Sequence, residues 1–206
     1  GYHGMGQGPL ACMGNLHAKT GVNGLMPDVH SFPYPYSYRD PFGLGGDAGV
    51  KAACNFFERT LKDPESGITL PACVILEAIQ GEGGVIPAPI EFLKTVRRVT
   101  KELGIPMIVD EIQCGMGRSG KLFAFEYADI IPDVVLISKA IGGSQPMAVV
   151  VYNKELDKWT PGAHAGTFRG NQLAMKAGTI VLNRVSKPDF LADVVRKGDL
   201  IRSRLS

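Results

Sequence analysis

The chain has little of what marks several large protein classes. Its four cysteines, Cys12, Cys54, Cys73 and Cys114, form no Cys-x-x-Cys pair. A disulfide framework is not expected in a chain of 206 residues, so reduced thiols and a cytoplasmic setting are the expectation. The four histidines, His3, His17, His30 and His164, lack metal-ligand spacing. Lysine and arginine number 22 against 20 aspartate and glutamate, and no basic run interleaves with aromatics, so nucleic acid is not an expected partner. The longest apolar runs, such as residues 147–152, are far too short to span a membrane. No signal-like apolar segment opens the sequence.

What remains is ordinary globular composition, 45% hydrophobic and 20% charged, arranged in a recognisable order. Residues 1–48 are rich in glycine and proline and carry the aromatic run Phe32-Pro-Tyr-Pro-Tyr-Ser-Tyr38, which reads as loop and turn. A substrate-pocket wall and dimer packing are both open for that run, with dimer packing the expectation. From Gly49 the apolar residues Val50, Ala53, Cys54, Phe57 and Leu61 recur at helical spacing, and Asp63-Pro64 stops them. A short strand covers 71–77. A helix over 90–103 presents Phe92, Val96, Val99 and Leu103 on one face, with Gly104 just past its end. Strands over 105–110, 133–139 and 148–152 follow, then a helix over 171–185 and a last one with Leu191, Val194, Ile201 and Leu205 on one stripe. Strands alternating with helices predict an α/β fold with a mostly parallel sheet and helices on both faces. The divisions expected are a loop-rich entry at 1–48, an α/β core at 49–186 and a closing helix at 187–206.

Three of these strands end in ionisable residues: Glu77, Asp110 and Lys139. Strand ends meet solvent, and charge there is cheap, so each alone says little. Together they fall at the carboxyl edge of successive parallel strands, where α/β proteins hold ligands. A carboxylate and an amine facing one ligand are what pyridoxal phosphate requires, lysine for the Schiff base and aspartate for the pyridine nitrogen. The string Gly115-Met-Gly117-Arg-Ser-Gly120 also satisfies the dinucleotide pattern GxGxxG, but Lys121-Leu-Phe-Ala-Phe125 after it is not a clear helix start. His164, Thr167, Arg169 and Asn171 crowd the loop before the 171–185 helix. Phosphate binding and plain helix capping are both open there.

Four motifs agree in order and spacing with one family. Tyr2-His3-Gly4-Met5, Leu76-Glu77-Ala-Ile-Gln80-Gly81-Glu82-Gly83-Gly84, Val109-Asp110-Glu111-Ile-Gln113-Cys-Gly115-Met-Gly117-Arg118-Ser-Gly120 and Ser138-Lys139-Ala140-Ile-Gly142-Gly143 resemble the class III, fold-type I, pyridoxal-phosphate-dependent aminotransferases. Finer features resemble the branch that moves the ω-amino group of 2,4-diaminobutyrate to 2-oxoglutarate. These are Gly14-Asn-Leu-His-Ala-Lys-Thr-Gly21, Leu25-Met-Pro-Asp28, Pro33-Tyr-Pro-Tyr36 and residues 144–152. The similarity covers essentially the whole chain, which corresponds to about the middle half of such an enzyme.

The resemblance implies a role for each matching position. Lys139 would carry the cofactor and shuttle the proton, and Asp110 would keep the pyridine nitrogen protonated. Gln113 would hydrogen-bond the ring's phenolic oxygen, with Tyr2 stacked on the ring and His3 beside it. Glu77 would belong to the supporting network. Glu82 would pair with a carboxylate-binding arginine, and Thr167 would hold the phosphate of a neighbouring subunit across a homodimer. Substrates would be an amino donor and a 2-oxo acid acceptor. Gly6 and Gln145 depart from the family pattern, which more often has a hydroxyl residue and a leucine there. The family's phosphate loop would lie upstream of residue 1, and its carboxylate-binding arginine and small domain downstream of residue 206. Another ω-aminotransferase, an amino-acid racemase and an inactive fragment of the same fold stay open as alternatives.

Overall fold

Apolar spacing and stop signals set the two longest elements of the first half. In the computed structural model, which describes residues 1–205, α2 spans Gly46–Lys62 and α3 spans Ile90–Glu102. Asp40 holds the entry to α2, its Oδ2 accepting from Leu44 N at 2.7 Å and Gly45 N at 3.0 Å. Gly104 follows α3 in the left-handed region, φ 68°, where a residue with a side chain is strained. The apolar faces meet: Phe57 of α2 and Phe92 of α3 are buried and their rings pack edge to face. On the exposed side Glu58, Lys62, Arg98 and Glu102 close a charged quartet between the two helices.

Six strands form two sheets. The main sheet has the order β1-β4-β5-β6, from Val74–Glu77, Met107–Asp110, Val134–Ile137 and Val149–Tyr152. β1, β4 and β5 run parallel, as the alternation of strands and helices predicts. β6 runs antiparallel to β5. Residues 138–148 link β5 to β6 through one 3-10 turn with no α-helix, less than the helical crossover a parallel pair usually needs. The second sheet pairs β2 (Ile79–Gln80) with β3 (Ile86–Pro87).

Two apolar clusters flank these strands. One joins α2 and α3 to Leu76, Met107 and Val109. The other joins Ile137 and Ile141 to Val181 and Val185 of α4 (Gln172–Val185) and to Phe190 of α5 (Pro188–Leu205). Arg97 of α3 clamps the sheet from the side. It donates to Asp133 Oδ2 at 2.5 Å, and the same oxygen accepts from Met107 N at 2.8 Å, locking the starts of β4 and β5 together.

The entry segment is more ordered than its composition suggests. It contains α1 (Gln7–Cys12) and a short 3-10 turn, Ser37–Arg39. Part of the aromatic run packs within the chain, Phe32 against Phe56 and Phe57 and Tyr34 against Phe92, while Tyr38 is exposed. The last helix departs from expectation at its far end, where Ile201 and Leu205 are exposed rather than covered. Among the described residues no helix is long and apolar enough to cross a membrane.

Candidate active site

Strand register decides which side chains meet. Glu77 of β1 stands opposite Asp110 of β4, and Asp110 opposite Leu136 of β5, with Lys139 three residues further along. Glu77, Asp110 and Lys139 therefore share the carboxyl edge of three parallel strands, where the sequence places them.

Asp110 is 3% exposed. A buried carboxylate costs several kcal/mol unless donors surround it, and two do. Ile112 N donates to Oδ1 at 3.0 Å, and His3 Nδ1 lies 3.0 Å from Oδ2. In the tautomer that carries its proton on Nδ1, His3 donates to this carboxylate. Glu77 is buried beside it. Its Oε1 accepts from Tyr2 N and its Oε2 from Gly81 N, both at 2.8 Å. One carboxylate thus ties the Tyr2-His3 segment to the turn that carries Glu82. Below it the Tyr34 hydroxyl donates to Glu77 O at 3.1 Å, and burial beside the Glu77 carboxylate pushes that phenol well above its ordinary range.

Lys139 has a different setting. It begins a 3-10 turn, Lys139–Gly142, and has φ 51°, a left-handed conformation that costs a non-glycine residue about 1–2 kcal/mol. The turn is held from two sides. Ser138 Oγ donates to Met147 O at 2.7 Å, and α4 comes so close that a β-carbon on Gly178 would sit 3.0 Å from Ile141 O. The Lys139 amine makes no hydrogen bond or ion pair among the described residues.

Gln113 and Glu82 meet each other, Gln113 Nε2 donating to Glu82 Oε1 at 3.1 Å. Tyr2 and Glu82 line one small cavity of about 330 Å³ with Gly1, Gly14, Asn15 and Gly83. A larger cavity of about 580 Å³ runs along Phe32–Tyr34 and under β1; it includes His3 and Glu77 but neither Asp110 nor Lys139. Thr167 stands apart on an exposed turn. In that loop Asn171 is the N-cap of α4, its Oδ1 accepting from Ala174 N at 3.1 Å, and Arg169 is engaged with His164. Capping is therefore the part Asn171 plays.

One buried group escaped the sequence reading. Glu111, fully buried, accepts from Ala124 N and Phe125 N at 3.0 Å each and from the Cys114 thiol at 3.3 Å. Burial raises its carboxyl pKa, against the pull of those donors. It holds the loop that follows Asp110 onto the 3-10 turn Ala124–Ala128. That turn stands where a pyrophosphate-cradling helix would have to begin. An acidic residue directly after a strand and before a glycine run was the available signal.

The class III aminotransferase family pattern matches residues 1–206. The chain belongs to this family. It is 58% identical over 204 residues to a diaminobutyrate--2-oxoglutarate aminotransferase of Rhizobium meliloti, covering 99% of this chain and 43% of that protein. A Haemophilus influenzae protein of the same name is 54% identical, covering 100% of this chain and 45% of its own length. The chain thus spans somewhat under half the length of these relatives. Among solved structures, an amine transaminase from an uncultivated Pseudomonas species in its PLP-bound form superposes with a TM-score of 0.81 at 26% identity, over 92% of this chain and 44% of that one. The ornithine aminotransferase of Toxoplasma gondii does so with 0.81 at 26% identity, over 98% and 43%. The class III membership of the chain implies pyridoxal phosphate as the family cofactor.

Proposed function

We propose that the protein carrying this chain is a pyridoxal-phosphate-dependent aminotransferase. It moves the ω-amino group of 2,4-diaminobutyrate to 2-oxoglutarate, giving aspartate semialdehyde and glutamate. The observation that carries this reading is that a buried, hydrogen-bonded Asp110 and a Lys139 unpaired among the described residues stand at the carboxyl ends of neighbouring parallel strands. The names of the two bacterial relatives support diaminobutyrate as the donor.

The residues fit the cofactor. A carboxylate offers about four acceptor positions. Ile112 N and His3 occupy two on Asp110, leaving room for a protonated pyridine nitrogen. Pyridoxal phosphate supplies an aldehyde for amines and a ring that spreads the electron pair left when the neighbouring carbon loses its proton. Lys139 would be the residue that anchors the group covalently, and its amine would be the base that moves that proton. Asp110 would pair with the ring nitrogen, and His3 orients Asp110. Tyr2 would stack on the ring while Gln113 would donate to its phenolic oxygen. Glu77 holds Tyr2 in place. Glu82 answers a carboxylate-binding arginine elsewhere in the protein, and Thr167 holds the phosphate bound by a partner subunit. A homodimer with shared sites follows from that assignment, and the absence of a Cys-x-x-Cys pair or disulfide framework fits a cytoplasmic setting. Residues 1–48, 49–186 and 187–206 then act as entry, cofactor-binding core and a helix leading toward a small domain.

The test is glutamate formation by the intact protein from 2,4-diaminobutyrate and 2-oxoglutarate with pyridoxal phosphate, beside Lys139→Ala. Transfer by the wild type alone supports the reading. No glutamate from the wild type, or equal rates from both, contradicts it.

A further inference from the structure

The Gln113 side chain lies against Gly81, in the space that any β-carbon at position 81 would take. A β-carbon built on residue 81 would fall 1.3 Å from Gln113 Oε1 and 2.3 Å from Cδ. From that seat Gln113 Nε2 reaches Glu82 Oε1 at 3.1 Å. Both backbones are pinned. Gly81 N donates to the buried Glu77 at 2.8 Å, and Gly81 O accepts from Gly84 N and Val85 N at 3.1 Å each. On the other side Gln113 O accepts from Arg118 Nε at 2.8 Å.

We propose that Gly81 is a positioning residue: its bare Cα is the seat that aims the Gln113 amide at Glu82. This deepens the aminotransferase reading and rests on it for its catalytic meaning, because there Gln113 faces the cofactor and Glu82 the arginine that takes the substrate carboxylate. The seat couples the two. With Gln113 held by its outer N–H on Glu82, its amide plane is fixed for whatever the rest of the amide contacts.

The geometry makes Gly81→Ala a selective probe. All three nearest atoms to the added carbon belong to the Gln113 side chain, so the methyl group acts first on that flexible end. Loss of one hydrogen bond to a charged group is worth about tenfold.

The experiment is a double-mutant cycle on the intact protein with Gly81→Ala, Gln113→Ala and both together. Two readouts are taken: pyridoxal phosphate affinity by absorbance titration, and thermal stability without cofactor. Gly81→Ala is expected to weaken cofactor binding about tenfold and to lower stability, and to do neither when Gln113 is already alanine. Additive effects in the stability cycle overturn the seat, whether or not the protein takes up pyridoxal phosphate. A wild type that binds no pyridoxal phosphate yet shows coupling in the stability cycle sinks the aminotransferase reading and leaves the seat standing.

Discussion

The His3 imidazole and the Asp110 carboxylate meet at 3.0 Å across 107 residues of chain, with side chains only 5% and 3% exposed. The contact joins the entry segment to the end of β4, so the residues preceding the core are part of the site's construction. His3→Ala leaves a buried carboxylate short of one donor, at a cost of about 1–3 kcal/mol. Urea denaturation of the intact protein should show that loss, with weaker retention of pyridoxal phosphate on dialysis. Unchanged values for both would remove His3 from the site.

Glu77 makes a sharper demand. Both of its oxygens face backbone N–H groups, so Glu77→Gln turns a donor toward a donor on one side. The substitution is nearly isosteric and should still cost about 1–3 kcal/mol. A chemical denaturation midpoint equal to the wild type's would show that the Tyr2 and Gly81 contacts contribute nothing.

Lys139 sits in a conformation that glycine adopts freely. Lys139→Gly should therefore be more stable than Lys139→Ala by about 1 kcal/mol, although helix and strand positions normally favour alanine. The reverse order in matched denaturation curves would mean that the turn relaxes once the lysine is gone.

The α2–α3 quartet sets an acid-side dependence. The Arg98 guanidinium, together with the Lys62 ammonium, holds the Glu58 carboxyl down to about 2 from 4.5. A carboxyl whose folded pKa is depressed contributes stability above its unfolded value and loses it as pH falls through the folded one. The Glu58 contribution is thus present above pH 4.5 and disappears toward pH 2. These groups are largely exposed, so solvent screening limits it to under about 1 kcal/mol. The stability gap between wild type and Glu58→Gln should close over that interval, and close at neutral pH in high salt. A gap constant with pH would place the effect in packing.

How much of this is legible in the sequence follows from how local each signal is. Phe92, Val96 and Val99 recur at helical spacing, and Gly104 ends the run, so α3 is readable within about a residue of its observed bounds. The shared edge of Glu77, Asp110 and Lys139 is also readable, because parallel strands align their carboxyl ends whatever the detailed packing. The direction of β6 is not, since the run at 148–152 reads the same in either sense. β2 and β3 have two residues each and leave no period to detect. α1 is hidden by the glycines and proline around it. The hydrogen bond between His3 and Asp110 is fixed only by tertiary folding; the resemblance supplied no more than a place for His3 near the ring. The seat at Gly81 is hidden too, because Gly83 and Gly84 share its turn and only the position of Gln113 singles it out.

The measurement closest to the central claim is covalent trapping at Lys139. The intact protein is incubated with pyridoxal phosphate, reduced with borohydride, digested and mapped by mass spectrometry. A pyridoxyl adduct on Lys139, absent when 2,4-diaminobutyrate is added before reduction, is the predicted result. An adduct spread over exposed lysines, or none on Lys139, would contradict the account.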